Sequence, residues 1–329
     1  MKAVALLSGG LDSTLAAKVI IDQDIEVVAL HFMSPFCTCD QGKGCGSVSL
    51  DMANQLGIEL KGQFLGKEYF SLLKNPKHGF GKNLNPCIDC RILILKKAKE
   101  FMQKNDVSFV ITGEVVGQRP MSQHLKALRT IEKESGLEGL ILRPLSAKVL
   151  PETLPEKKGW VDRESLLDIV GRSRKPQIEM AKFYGIKDYP CAAGGCLLTD
   201  PGFSRRLADL MEKEELDLIS IELLKLGRHF RFSSDFKFIV GRNEKENQKL
   251  ESLKKENDYL FQPIDQSGPT GLGRGKINQS IKELCIKIIT RYSSADQDFK
   301  ISITNNKEEI NEIKKAEMPV NNQYRSFMI

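Results

Sequence analysis

The chain has 329 residues, 41% of them hydrophobic and 28% charged, with a formal net charge of +6 and eight cysteines. That length suits two or three domains with ample core, and the balance excludes a disordered or fibrous chain. No apolar run is long enough to span a bilayer. Glycines and Asp12 interrupt the N-terminus before a secretion signal could form, so cytoplasmic residence is expected. The mild positive charge permits a polyanionic partner without requiring one. Eight cysteines in a cytoplasmic chain raise metal binding or thiol chemistry rather than a disulfide framework.

In chain order, residues 2–7 read as a buried strand, 13–22 as a helix and 26–33 as a second strand. Residues 49–57 form a short helix capped at Gly57, 58–65 a third strand, 90–105 a strongly periodic helix and 107–114 another strand. This alternation predicts an α/β fold with a parallel sheet covered by helices on both faces. Near residue 145 prolines break the pattern and predict a connector. Short helices are then expected at 164–171 and 175–185, around the basic run Arg172-Ser173-Arg174-Lys175. A loop holding Cys191 and Cys196 precedes a helix at 203–215. Beyond about 227 the reading is strands over 229–241, a helix over 246–257, a glycine loop over 268–275 and a loosely held tail after 303. Three parts follow: a nucleotide-type α/β domain over 1–150, a small, mostly helical segment over 151–225, and an α+β domain over 226–329.

Ser8-Gly9-Gly10-Leu11-Asp12-Ser13 joins the first strand to the first helix. Glycines let backbone approach a phosphate closely, and first-turn amides point at the anion. Ser8 and Ser13 add hydroxyl donors. The Asp12 carboxylate would repel phosphate unless it faces Mg²⁺ or caps the helix. The loop lacks the Lys-Ser/Thr ending of a Walker A motif and does not match G-x-G-x-x-G. In this position it resembles the PP-loop of the ATP pyrophosphatase family, whose members cleave ATP between its α- and β-phosphates and adenylate a carbonyl oxygen. The resemblance implies that Ser8, Gly9, Gly10, Asp12 and Ser13 hold the pyrophosphate and its magnesium, with backbone around His31 next to the adenine.

The cysteines narrow the chemistry. Cys87-Ile88-Asp89-Cys90 opens a helix, where the dipole favours thiolates. The segment from Asn85 to Cys90 resembles the N-P-C-x-x-C stretch of tRNA thiouridylases. The segment holding Gly113, Gln118 and Ser122 resembles a glycine–glutamine stretch of 4-thiouridine synthases, and implies nucleotide contacts for Gly113 and Gln118. Both families complete the pattern with a distant third cysteine, here Cys196, with Cys191 as the alternative. Three thiolates leave one position open on a metal. The resemblance implies catalytic roles for Cys87, Cys90, Cys196 and Asp12, with a [4Fe–4S] cluster on the three cysteines. A cluster-free persulfide route and structural zinc stay open beside it. Cys37, Cys39 and Cys45 are read either as an accessory site or as incidental, and Cys285 as core.

Residues 236–247 resemble the V-G-R-N-x-x-x-N segment of the NFACT-R domain, an RNA-binding module. Arg228, Arg231, Lys237, Arg242 and Arg274 are the phosphate-binding candidates, with Lys276 beside them. Phe230 and Phe232 are candidates for base stacking or core. The expected function is an ATP-dependent tRNA sulfurtransferase with ATP, Mg²⁺ and a [4Fe–4S] cluster as cofactors. Its expected partners are tRNA, a sulfur donor (cysteine desulfurase or free sulfide) and a second copy in a homodimer. The alternatives are a persulfide thiouridylase, a synthetase adenylating a small carboxylic acid with zinc on the cysteines, and a non-enzymatic ATP-sensing RNA-binding factor.

Overall fold

The apolar run Lys2–Leu6 forms strand β1, whose residues alternate between two faces: Ala3 and Ala5 enter one core cluster, Val4 and Leu6 another. The structure is a computed structural model that describes residues 1–37, 46–189, 196–264, 266–293, 299–305, 310–316 and 323–329. Parallel strands β2 (Glu26–Met33), β3 (Leu60–Phe64), β4 (Phe109–Ile111) and β5 (Ile141–Leu142) complete a sheet of order β3-β2-β1-β4-β5. The helix Leu11–Ile21 packs on the Ala3 face, and the helix Cys87–Lys104 on the Val4 face. The expected α/β class is therefore present. Strand order reverses between β1 and β4, and in such sheets the crevice at the carboxyl ends of the two flanking strands is the usual ligand position.

A second sheet, of order β11-β10-β8-β9-β7-β6, is antiparallel. Its strands are β6 (Arg228–Ser233), β7 (Phe236–Val240), β8 (Tyr259–Pro263), β9 (Gly271–Gly275), β10 (Phe299–Asn305) and β11 (Ile310–Ala316). The helix Gln279–Tyr292 covers one face through Ile288 and Ile289, and Cys285 lies fully buried there, as a core residue.

The chain divides into two compact units, Met1–Thr199 and Asp200–Ile329. Residues 151–225, read as one intermediate segment, are shared between them. Three local readings change. The helix expected over 164–171 is only a 3-10 turn, Arg163–Ser165, because Asp162 caps it and Leu166 turns extended. The expected glycine loop over 268–275 contains strand β9. A Cβ at Gly271 would lie 2.4 Å from the Phe238 ring and one at Gly273 2.7 Å from the Phe236 ring, so the glycines make room for neighbouring aromatics. The tail after 303 supplies strand β11, paired along β10. Among the described residues, no helix is long and apolar enough to cross a membrane.

Candidate active site

Past the buried end of β1 the chain turns through Gly9 and Gly10 into the helix Leu11–Ile21. Gly9 has φ +76°, and a Cβ there would come within 3.0 Å of the Ser49 amide nitrogen. Ser13 Oγ donates to the Gly10 carbonyl at 2.8 Å and accepts the Ser8 N–H at 3.3 Å. Gly10 at the N-cap brings no side-chain acceptor, so the first-turn amides stay available at the positive end of the helix dipole. The loop can cradle an anion of phosphate type.

The groups around this loop are polar, buried and incompletely paired. Gln118 Nε2 donates to Asp12 Oδ2 at 2.8 Å, and Arg174 Nη2 stands 3.9 Å from Asp12 Oδ1. His31 Nδ1 lies 2.9 Å from both the Leu7 carbonyl and Ser49 Oγ, and burial lowers its pKa, keeping the ring neutral. Asp12 Oδ1, Gln118 Oε1, Arg174 Nε and His31 Nε2 are buried with no hydrogen-bond partner among the described residues. Each such group costs about 1–3 kcal/mol if left unmet, so their concentration at one loop fits a polar ligand.

The segment after β4 walls the loop. A Cβ on Gly113 would lie 2.4 Å from the Ser13 amide nitrogen, so backbone packs on backbone here. Next along, Glu114 is 2% exposed. Its Oε1 accepts Arg91 Nε and Nη2 at 3.0 and 2.8 Å, and its Oε2 accepts Arg143 Nε at 3.0 Å and Thr112 Oγ1 at 3.2 Å. Burial pushes this carboxyl up, but the two guanidiniums outweigh it and hold the pKa at about 2. Arg91 belongs to the helix that Cys87 opens. Glu114 thus ties the cysteine helix to the wall of the anion loop.

Three described cysteines, Cys37, Cys90 and Cys196, gather around Tyr69, and Cys87 is within electrostatic reach of Cys90 and Cys196. Burial raises the Tyr69 pKa strongly, with further contributions from Cys90, Cys196 and Cys37, and its hydroxyl hydrogen-bonds Cys90. Cys37 and Cys196 face each other in an antiparallel β-bridge, with Leu197 N–H donating to the Phe36 carbonyl at 2.9 Å. Burial pushes Cys90 up to about 11 and Cys196 up to about 12. It also raises Cys87, against Arg119, Asn85 and Arg91. The thiolate character expected from the helix start is therefore overridden by desolvation. Among the described residues no three His, Cys, Asp or Glu side chains stand in metal-ligating geometry. Cys39, Cys45 and Cys191, with Gly194 and Gly195, lie outside the described residues.

In the second unit the expected cations divide. Arg231 is held by Asp209, at 3.0 and 2.6 Å, and by Glu214 at 3.0 Å. Arg274 chelates Asp258 at 2.9 and 2.6 Å. Lys237 is 4% exposed beside Asp209, and burial lowers its pKa to about 8. These three charges are internal pairs. Arg242 is half exposed on Glu246, and the Arg228 guanidinium lies 4.2 Å from the Tyr292 ring centre. Phe230 is fully buried and stacks with Phe232, so it is a core residue.

Residues 1–148 match the family model described as "Thiamine biosynthesis protein (ThiI)". This segment is similar to that family. Residues 227–328 match the "NFACT protein RNA binding domain" model. A protein of Caldanaerobacter subterraneus named "Probable tRNA sulfurtransferase" is 31% identical over 144 residues, 44% of this chain and 36% of that one. The chain thus spans little more than a third of that relative's length. A "tRNA-specific 2-thiouridylase MnmA" of Bacillus thuringiensis is 23% identical, over 90% of this chain and 82% of its own. A 4-thiouridine synthetase solved with RNA and bound ATP aligns with TM-score 0.39 and 22% identity, over 68% of this chain and 53% of that one.

Within residues 1–148 the structure brings Ser8, Gly9, Gly10, Asp12, Ser13, His31, Gly113 and Gln118 around one loop. Cys90 and Cys196 meet beside Tyr69, with Cys87 in electrostatic reach of both. Sequence reasoning missed Arg174, although it noted the basic run, and missed Glu114 and Tyr69, which carry no motif. It left Cys37 undecided, and the strand pairing with Cys196 is what places it.

Proposed function

We propose that this chain is a cytoplasmic ATP-dependent tRNA sulfurtransferase that adenylates a uridine carbonyl oxygen and replaces it with sulfur. The observation that carries the reading is the Glu114 link, which joins an anion loop with unpartnered polar atoms to a cluster of thiols within one unit. ATP would lie with its pyrophosphate on Ser8, Gly9, Gly10 and Ser13, and with its base near His31, whose unpartnered Nε2 can accept a hydrogen bond. Asp12, positioned by Gln118, would hold Mg²⁺, which offsets charge on the departing pyrophosphate. Arg174 would take the same charge from the other side of Asp12.

For the sulfur, Cys87, Cys90 and Cys196 form a soft donor set that suits a [4Fe–4S] cluster in kind. Three thiolates would hold such a cluster and leave one iron open to carry sulfide. Binding requires the three thiols to close in and release protons that burial now retains. A cluster-free persulfide route is the second reading, favoured by the Cys37–Cys196 strand pairing. Either needs a sulfur donor, a cysteine desulfurase or free sulfide. The uridine must leave the tRNA stack to reach the thiols. The NFACT-family unit would add tRNA affinity through Arg242 and Arg228, whereas Arg231, Lys237 and Arg274 maintain its interior. A homodimer would be the working assembly.

The test is AMP release by the anaerobically purified chain with and without tRNA, followed by thionucleoside analysis. AMP and thiouridine formed only with tRNA are expected. AMP formed with a small carboxylic acid instead supports the zinc-bearing synthetase, and ATP binding without AMP supports the sensor. Iron and acid-labile sulfide content separates cluster from persulfide.

A further inference from the structure

The bridge between Cys37 and Cys196 is of one particular kind. Leu197 N–H, one residue after Cys196, donates to the carbonyl of Phe36, one residue before Cys37, at 2.9 Å. That pattern marks a non-hydrogen-bonded antiparallel pair, in which the two side chains project from the same face and the Cα atoms are about 4.5 Å apart. Disulfides span Cα separations of roughly 4.4 to 6.8 Å. Both cysteines are free thiols. Nearby partners restrain each sulfur: Ser34 N–H and Oγ sit 3.3 Å from the Cys37 sulfur, and the Leu198 N–H bonds the Cys196 sulfur. The other two thiols have their own neighbours, Tyr69 for Cys90 and Asn85 for Cys87. Cys37 is thus the thiol that the backbone sets directly opposite Cys196.

We propose that Cys37 is the resolving residue of a sulfur-transfer pair, attacking the Cys196 sulfur when Cys196 carries a sulfane sulfur. This rests on the persulfide form of the sulfurtransferase reading. In the step, the Cys37 thiolate forms a bond to Cys196 Sγ, and the bond from that Sγ to the outer sulfur breaks. Its electron pair leaves with the outer sulfur, as the thiocarbonyl of the modified base or, with no acceptor, as hydrosulfide. The sulfane sulfur is the two-electron oxidant and the cysteine pair is oxidised to a disulfide. A dithiol reductant restores both thiols by exchange.

The test loads the reduced full-length chain with inorganic polysulfide and omits both ATP and tRNA, so its outcome is independent of whether the chain thiolates RNA. Hydrosulfide release is followed, and non-reducing peptide mapping locates the products. The wild type should yield a Cys37–Cys196 cross-linked peptide, with the protein about 2 Da lighter than the dithiol form. Cys37→Ser should instead accumulate a Cys196 persulfide, about 32 Da heavier, and its hydrosulfide release should fall about tenfold or more. A Cys196 disulfide to Cys87, Cys90 or any other thiol would overturn the proposal. So would wild-type hydrosulfide release by Cys37→Ser, provided its circular dichroism matches the parent.

Discussion

Arg91 and Glu114 are joined by two hydrogen bonds onto a single carboxylate oxygen, Nε at 3.0 Å and Nη2 at 2.8 Å. One partner rides on the cysteine helix and the other follows β4, in the segment that walls the anion loop. The pair is buried, so its loss is costly: removing one member of such a network costs about 3–5 kcal/mol. Glu114→Gln should therefore lower unfolding stability by that order in urea titrations at pH 7. The pH dependence has a definite sign. The folded carboxyl titrates at about 2 against 4.5 in a free chain. Its contribution is complete above pH 4.5 and lost as pH falls toward about 2. The variant should show a flatter acid limb than the parent.

Asp12→Ala should abolish AMP formation, by about a hundredfold or more, while leaving the melting temperature within about 2 °C of wild type. One carboxylate oxygen bonds Gln118 and the other makes no hydrogen bond, with only a long 3.9 Å ion pair to Arg174, so the native fold draws little from it. Ser13→Ala should lose AMP formation too, together with some loop order, since its hydroxyl closes onto the Gly10 carbonyl. Unimpaired AMP release by both variants would contradict the nucleotide assignment.

The cations of the second unit can be separated by salt dependence. Arg242→Ala should weaken tRNA binding and reduce the slope of log affinity against log salt by about one. Lys237→Met should leave that slope unchanged, because the ammonium is enclosed beside Asp209. Its signature lies in stability. The folded lysine titrates at about 8 against 10.5, so burial penalises the charged form fully below about 8 and the penalty fades as pH rises toward 10.5. Wild-type stability should gain over that window and Lys237→Met should not. Equal salt slopes for wild type and Arg242→Ala would remove that arginine from the RNA contact.

If iron is bound, the anaerobic protein should contain it with acid-labile sulfide. Alanine at Cys87, Cys90 or Cys196 should each remove both, since two thiolates hold a four-iron cube poorly. Cys285→Ala should lose neither, because that sulfur is sealed beneath a helix of the antiparallel sheet. Full iron retention in all three variants, or zinc alone in the wild type, would exclude the cluster.

Much of the first unit could be read from residue order, because parallel strands buried on both faces give apolar runs and their helices give a separate period. The loop residues Ser8 to Ser13 were recognisable for the same local reason: a tight turn and a helix start leave a compact signature. Glu114 was not, since its role depends on Arg91 and Arg143 arriving from other elements. Cys37 was ambiguous until its strand partner was known. The arginines of the second unit misled in the opposite direction. Positive charge reads as surface, yet Arg231 and Arg274 each meet carboxylates that lie 16 or more residues away. Strand β9 read as a loop because glycine composition cannot reveal a neighbouring phenylalanine ring.

The packing of Gly113 against the Ser13 backbone also bears on synthesis. The anion loop leaves the ribosome well before its wall, which is translated only with the fourth strand. Contacts between such distant positions form late, after loop closure has been achieved. A nascent chain that ends before Gly113 would carry the complete glycine motif without the surface that shapes it. Nucleotide binding should therefore begin abruptly as the fourth strand enters the sheet, and released fragments of the growing chain would not compete for ATP.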